Sequence, residues 1–142
     1  MNTVEIQAEN PFALGSETVI HLPCGLLGFE QFKKYAVQSN YGEEPFYWLQ
    51  AVDDPALCFL TVSPFEVLPS YEPDIPVEDV RFLGIECPDD VFLLNIITFR
   101  RQGRSTVNLK GPIVINRFSL IGKQVVISNA AEYSLQHPLP TE

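Results

Sequence analysis

The stretch FYWLQAVDDPALCFLTV, residues 46–62, decides the fold. It contains two short apolar runs rich in aromatic and β-branched residues, FYWLQAV and LCFLTV, which is a composition typical of strands buried on both faces. Asp53, Asp54 and Pro55 stand between the runs, and these residue types form tight turns. The sequence therefore predicts an antiparallel hairpin, with both carboxylates exposed at its turn.

Side chains alternate between the two faces of a strand, so Phe46 and Trp48 share one face and Tyr47 and Leu49 share the other. A curved sheet fills one face and can expose the other. We expect Trp48 in the core and Tyr47 partly exposed.

The rest of the chain predicts more strands of the same kind. They are expected at residues 3–8, 17–22, 34–39, 91–99, 105–116 and 118–128, with a turn near 121–123 in the last segment. Twelve prolines disfavour long helices. A short helix is predicted within residues 74–90, with Pro76 near its first turn and Gly84 at its end, and a further helical turn at 28–35. We expect a mostly β, single-domain antiparallel β-barrel-like fold over residues 1–142, with one or two short helices.

The charge is unevenly distributed along the chain. The net charge is −9, and residues 43–90 hold twelve acids against one base, whereas residues 91–123 hold six bases and no acid. An acidic surface favours a basic protein partner and disfavours direct binding of nucleic acid. A solvated acidic surface that only maintains solubility is the alternative.

Composition also bears on compartment and cofactors. Cys24, Cys58 and Cys87 are odd in number and far apart, so we expect three reduced, mostly buried thiols. With only two histidines there is no zinc-ligand spacing, and no metal or cofactor is predicted. The N-terminal residues lack the pattern of a secretory signal, and no apolar run is long enough to span a membrane, so we expect a cytoplasmic protein.

Catalysis is not predicted. Adjacent residues on a strand point to opposite faces, so Asp53 and Asp54 cannot act as a paired acid and base, and they are interpreted as turn formers. The chain has no nucleophile motif, P-loop or dinucleotide fingerprint. The segment RRQGR, residues 100–104, is the only candidate for nucleic-acid contact, and we interpret it as a solvated loop.

Taken together, five stretches resemble the flagellar assembly factor FliW family. They are GLLGFE (25–30), PFYWLQAVDDP (45–55), VFLLNIITF (91–99), NLKGPIVIN (108–116) and GKQVVIS with YSLQHPL (122–139). The resemblance implies a non-enzymatic β-barrel-like protein without cofactor. It also implies two protein partners, flagellin and the basic translational regulator CsrA. Free assembly factor would bind and antagonise CsrA allosterically and so relieve repression of flagellin translation.

On this interpretation, the partner surface is predicted at the acids and ring around Tyr47, Asp53, Asp54, Glu72 and Asp74. The alternative function is a small-ligand-binding β-barrel.

Three places depart from the family's pattern: Leu27 stands where proline is usual, Gln136 where arginine is usual, and the loop at residues 100–104 is basic where relatives are often acidic. If that loop touches a partner, its charge bears on which partner is bound.

Overall fold

The computed structural model describes residues 18–38, 45–99 and 104–139. Nine strands occur in this part of the chain: β1 Thr18–His21, β2 Lys34–Gln38, β3 Phe46–Ala51, β4 Cys58–Val62, β5 Val91–Thr98, β6 Thr106–Val107, β7 Ile113–Asn116, β8 Gly122–Gln124 and β9 His137–Pro138. All the pairings between these strands are antiparallel. The strand predicted at residues 3–8 lies outside the described residues.

The predicted hairpin is confirmed. Strands β3 and β4 pair antiparallel with Trp48 opposite Leu60, and the turn between them contains the DDP sequence. The Leu57 N–H donates to the Asp54 carbonyl at 2.9 Å, and the Asp54 side chain accepts from the Ala56 N–H at 3.3 Å. A short polar side chain that bonds the backbone two residues on is what makes aspartate a turn former.

The sheet runs in the order β1-β2-β3-β4-β5 and then branches. One part of β5 pairs with β6, which pairs with β9, and another part pairs with β7, which pairs with β8. A parallel bridge joins His21 to Ile121, next to the start of β8, so the sheet formed by the described residues curls without closing through a continuous ladder. The predicted antiparallel, mostly β fold is confirmed, and "barrel-like" describes its shape only loosely.

Strand β5 is buried on both faces. Phe92 and Leu94 pack in one hydrophobic cluster with Tyr47 and Leu49 of β3. Leu93, on the opposite face, belongs to a second cluster with buried residues such as Tyr71, Leu83, Val125 and Ile127. Burial on both faces explains why β5 is a continuous apolar run without polar alternation.

Two short helices lie between β4 and β5: α1 Pro64–Val67 and α2 Val77–Phe82. Helix α2 follows Pro76 and ends before Gly84, which has a φ of +66°, as the sequence predicts. The helical turn predicted at 28–35 is wrong, because tight turns and the start of β2 occupy those residues, and α1 was not predicted. Among the described residues, no helix has both the length and the apolar character of a membrane span.

One further turn is not where the sequence predicts it. The reversal falls at residues 117–120, where the Asn116 side chain accepts from the Phe118 and Ser119 N–H groups and Leu120 has a φ of +63°. Gly122, at the predicted turn, instead lies in β8, where an added Cβ would stand 3.0 Å from Ile115. Close packing against β7 therefore explains this glycine.

Candidate functional site

The structure buries Tyr47 and leaves Trp48 partly exposed. Tyr47 is 4% exposed, its ring meets Phe92 edge-on at 5.8 Å, and its carbonyl accepts from the Thr61 hydroxyl. The expectation that Trp48 is core and Tyr47 is partly exposed is therefore wrong. Gln50 shares the face of Trp48 and points the same way, outward from the Tyr47–Leu49 core.

Asp53 and Asp54 are exposed in the β3–β4 turn, as predicted. Glu72 is exposed as well, and Asp74 is half-buried. Asp53 and Asp54 lie at one end of β4, and the chain reaches Glu72 and Asp74 only after leaving the other end. Asp53 and Asp54 thus belong to the β3–β4 turn, and Glu72 and Asp74 to the segment between α1 and α2. That all four form one partner surface stays a prediction.

The segment with Glu72 and Asp74 is fastened to a later part of the chain. The Asn129 side chain donates to the Glu72 carbonyl at 2.9 Å and accepts from the Asp74 N–H at 2.8 Å. The Glu72 N–H donates to the Tyr133 hydroxyl at 3.0 Å. These bonds use backbone groups of the acidic residues and leave both carboxylates available to solvent or to a partner.

A groove of about 340 Å³ opens next to this contact. It is lined by parts of three segments, residues 24–30, 108–111 and 124–135. Each segment overlaps a stretch that carries the family resemblance. The most exposed apolar side chains in it are Leu27, Val126 and Leu135, which are 83%, 74% and 57% exposed. We call these three residues and the space between them the apolar groove.

The turn GLLGFE holds Leu27 in this position. Gly25 has a φ of +69°, and a Cβ there would stand 2.5 Å from the Glu30 Cα, so only glycine fits. The Glu30 carboxylate accepts from the Gly28 N–H at 3.0 Å, and this hydrogen bond lowers the pKa of Glu30. The Leu27 N–H donates to the Gln124 side chain at 3.0 Å, which ties the turn to β8.

Polar groups along the groove are bonded within the protein. The Asn108 side-chain oxygen accepts from the N–H groups of Lys110 and Gly111, and the Gln124 amide donates to the Gly111 carbonyl. The Lys110 ammonium donates to the Ala130 carbonyl at 3.0 Å. Because these groups already have partners, the groove offers a partner molecule mainly apolar contact.

Lys123 lies beside the groove and is also paired. Its ammonium is 2.5 Å from the Asp79 carboxylate, which is buried, and 5.6 Å from the centre of the Phe82 ring. The hydrogen bond to Asp79 raises the pKa of Lys123. Among the described residues, this is the one ion pair, and it links α2 to β8.

The cysteines are free, and all three are exposed, so the expectation of mostly buried thiols is wrong. Cys24 lines the groove. The Cys87 thiol bonds the Asp90 carboxylate at 3.4 Å, and this raises the pKa of Cys87 and reduces its thiolate population. The described residues contain no cluster of metal ligands.

Of the basic segment at residues 100–104, only Arg104 is described, and it is exposed. Two phenylalanines near it in sequence, Phe99 and Phe118, are 62% and 74% exposed. Whether the segment forms a solvated loop therefore stays a prediction.

Sequence reasoning missed the groove, although one signal was present. Val125 and Ile127 are buried, so alternation places Val126 on the opposite, exposed face. A valine on an otherwise polar face marks a surface that differs from ordinary solvated β-structure. The proximity of Val126 to Leu27 and Leu135 depends on long-range packing, which local pattern does not reveal.

Fold and surface together define an antiparallel β protein with an apolar groove beside exposed acids. A family model described as FliW protein matches residues 4–139, nearly the whole chain. The chain therefore belongs to the FliW family, the flagellar assembly factors.

Individual relatives support this family assignment. The flagellar assembly factor FliW of Treponema denticola is 36% identical over 143 residues, covering 100% of this chain and 90% of the relative. That of Clostridioides difficile is 38% identical over 121 residues, covering 84% and 92%. A solved structure, the crystal structure of the flagellar assembly factor FliW, superposes with a TM-score of 0.76 at 34% identity and covers 87% of this chain and 86% of that one.

Proposed function

We propose that this protein is a non-enzymatic, cytoplasmic assembly factor that binds flagellin and, when free of it, binds the translational regulator CsrA. Binding would antagonise CsrA allosterically and so relieve repression of flagellin translation. The family match over residues 4–139 carries this proposal. In it, residues 1–142 act as a single domain, and no cofactor, membrane or nucleic acid takes part.

The charge of the protein supports the proposed choice of partner. A net charge of −9 repels the phosphates of RNA and attracts a small basic protein over the distance of a Debye length. Exposed Glu72 and half-buried Asp74, with no ion pair to any described residue, supply local negative charge for such an encounter. Asp53 and Asp54, exposed in the β3–β4 turn, supply further negative charge for the same encounter. The Tyr47 side chain is buried, so this residue belongs to the core beneath the surface and not to the partner surface itself.

The carboxylates of Glu30, Asp54 and Asp90 fit a binding role and need no catalytic role. The carboxylates of Glu30 and Asp90 accept backbone N–H bonds, from Gly28 and from Glu86 respectively, which lower their pKa values and keep them ionised. Asp54 stabilises its own turn. These groups have structural partners, so their presence needs no catalytic explanation.

The direct test is calorimetric titration of the full chain with CsrA and, separately, with flagellin from the same host. We expect saturable binding of both, with the CsrA affinity falling as salt rises because opposite charges meet. Circular dichroism of each component provides the control for folding. Absence of heat with either partner, across temperatures that vary the binding enthalpy, would contradict the proposal.

A small-ligand-binding role is the second candidate, and the volume of the groove is the observation that favours it. About 340 Å³ lies within the range of small-molecule sites. Native mass spectrometry of the purified protein distinguishes the two. An adduct of constant mass that survives purification would support the ligand role, and a bare chain mass would disfavour it.

A further inference from the structure

We infer that the apolar groove is the docking site for a basic amphipathic segment of a protein partner. Leu27, Val126 and Leu135 would contact its apolar side chains, and nearby acids would contact its basic ones. The inference rests on the proposed function, since it specifies the surface and the partner chemistry of the same binding activity.

Exposure of the three apolar side chains is the first argument. Leu27 and Val126 are more than 70% exposed although they come from different segments, a turn and the residues that follow β8. Covering a leucine or valine side chain of this exposure contributes about 1–2 kcal/mol, or roughly a tenfold change in affinity each. Such a cluster has the size of an anchor site and is too small to hold a partner alone.

Fixed backbone geometry is the second argument. The bond from the Leu27 N–H to the Gln124 side chain holds the turn against β8. Across the groove, the Leu109 N–H donates to the Ser134 carbonyl at 2.9 Å, and the Lys110 ammonium donates to the Ala130 carbonyl. Residues 24–30 and 108–111 are thus both fastened to residues 124–135, and a preformed groove loses less entropy on binding than a mobile one.

Charge identifies the occupant. Lys110, which lines the groove, donates to the Ala130 carbonyl, and Lys123, the neighbour of the lining residue Gln124, pairs with Asp79. Of the nearby acids, Glu30 accepts the Gly28 N–H, whereas Glu132, in the groove segment 124–135, is exposed and has no ion pair with a described residue. Glu72 and Asp74 are fastened through Asn129 to that same segment and have no ion pair with a described residue. An apolar segment with basic flanking residues complements this arrangement, whereas an acidic segment would be repelled.

The test measures binding of CsrA, the basic partner of the proposed function, to the full chain carrying Leu27→Ser, Val126→Ser or Glu132→Lys. Serine removes the apolar contact without adding charge. The matched control is Phe118→Ser, because Phe118 is 74% exposed, as Val126 is, but does not line the groove. All variants are exposed positions, so their thermal midpoints are expected to stay close to that of the wild type.

We expect Leu27→Ser and Val126→Ser each to weaken CsrA binding about tenfold. Glu132→Lys should weaken it mainly at low salt, and Phe118→Ser should leave it unchanged. If the wild type binds CsrA and both groove variants bind equally well, the groove inference is overturned while the proposed function stands. Loss of flagellin binding alone, with CsrA binding intact, would also overturn it. If the wild type binds neither protein, the proposed function itself fails.

Discussion

The hydroxyl of Tyr71 donates a 2.7 Å hydrogen bond to the carbonyl of Leu109, 38 residues further along the chain. Tyr71 is 2% exposed, and its ring meets that of Tyr133 edge-on at 4.8 Å. The bond joins the segment between the two helices to the strand-rich part that bears the groove. Tyr71 precedes Glu72 directly, so it also fixes where that acid emerges on the surface.

Replacing Tyr71 by phenylalanine should lower the free energy of unfolding by about 1–2 kcal/mol, because the buried Leu109 carbonyl loses its partner. Tyr35→Phe is the matched control. Tyr35 is also buried, but its hydroxyl has no hydrogen-bond partner among the described residues. Removing that hydroxyl should leave stability unchanged or raise it slightly. Urea unfolding measures both. Equal losses for the two variants would contradict this account of Tyr71.

The protein should lose stability at alkaline pH. Burial raises the pKa of Tyr71, and the hydrogen bond to Asp79 raises the pKa of Lys123. For a group whose pKa is raised on folding, the stabilisation is complete below its unfolded pKa, about 10 for both side chains, and is lost as the pH rises through the folded pKa. Unfolding free energies measured between about pH 8 and pH 11 should therefore decline above about pH 10. Tyr71→Phe should show a shallower decline. A flat wild-type profile over that range would oppose this assignment.

Gly25→Ala should destabilise the protein more than Gly28→Ala does. Both glycines have positive φ, so alanine is strained at each by about 1–2 kcal/mol. At Gly28 the added methyl group meets nothing within 4 Å, whereas at Gly25 it would stand 2.5 Å from the Glu30 backbone. Thermal unfolding of the two variants isolates this steric difference. Similar midpoints for the two would show that the turn relaxes, and that Leu27 is held less firmly than we infer.

Part of this architecture could be predicted from local sequence. The hairpin at 46–62 has a turn whose residues fix its position, and α2 has Pro76 and Gly84 at its ends. The expected faces of Trp48 and Tyr47 are wrong because β3 is apolar on both sides, so alternation pairs the residues without showing which face is inward. Gln50 is polar and lies on the same face of β3 as Trp48, which indicates that this face is the outward one.

The groove and the location of the acids could not be predicted in the same way. The groove depends on residues 27, 126 and 135 meeting across the fold, and Gly122 lies in a strand because of its packing against Ile115. The sequence groups Glu72 and Asp74 with Asp53 and Asp54 because all four lie in the acidic half. The hydrogen bonds of residues 72–74 to Asn129 are long-range contacts that local pattern does not reveal.

The two acidic groups can be tested separately. We expect Glu72→Lys with Asp74→Lys to weaken CsrA binding at low salt with little change in the thermal midpoint, because the hydrogen bonds of this segment use backbone atoms. Asp53→Lys with Asp54→Lys reverses the same number of charges at the other end of β4. Calorimetry at low and high salt compares them. If binding by the first double variant equals that of the wild type at low salt, the surface around residues 72–74 is excluded as the contact.

The central claim is that one protein exchanges two partners, and a competition titration tests it most directly. CsrA is titrated into the full chain alone and into the full chain already saturated with flagellin. The account predicts salt-sensitive binding in the first titration and little or no binding in the second. Equal CsrA affinity in both titrations would contradict the exchange and show that the two partners bind independently.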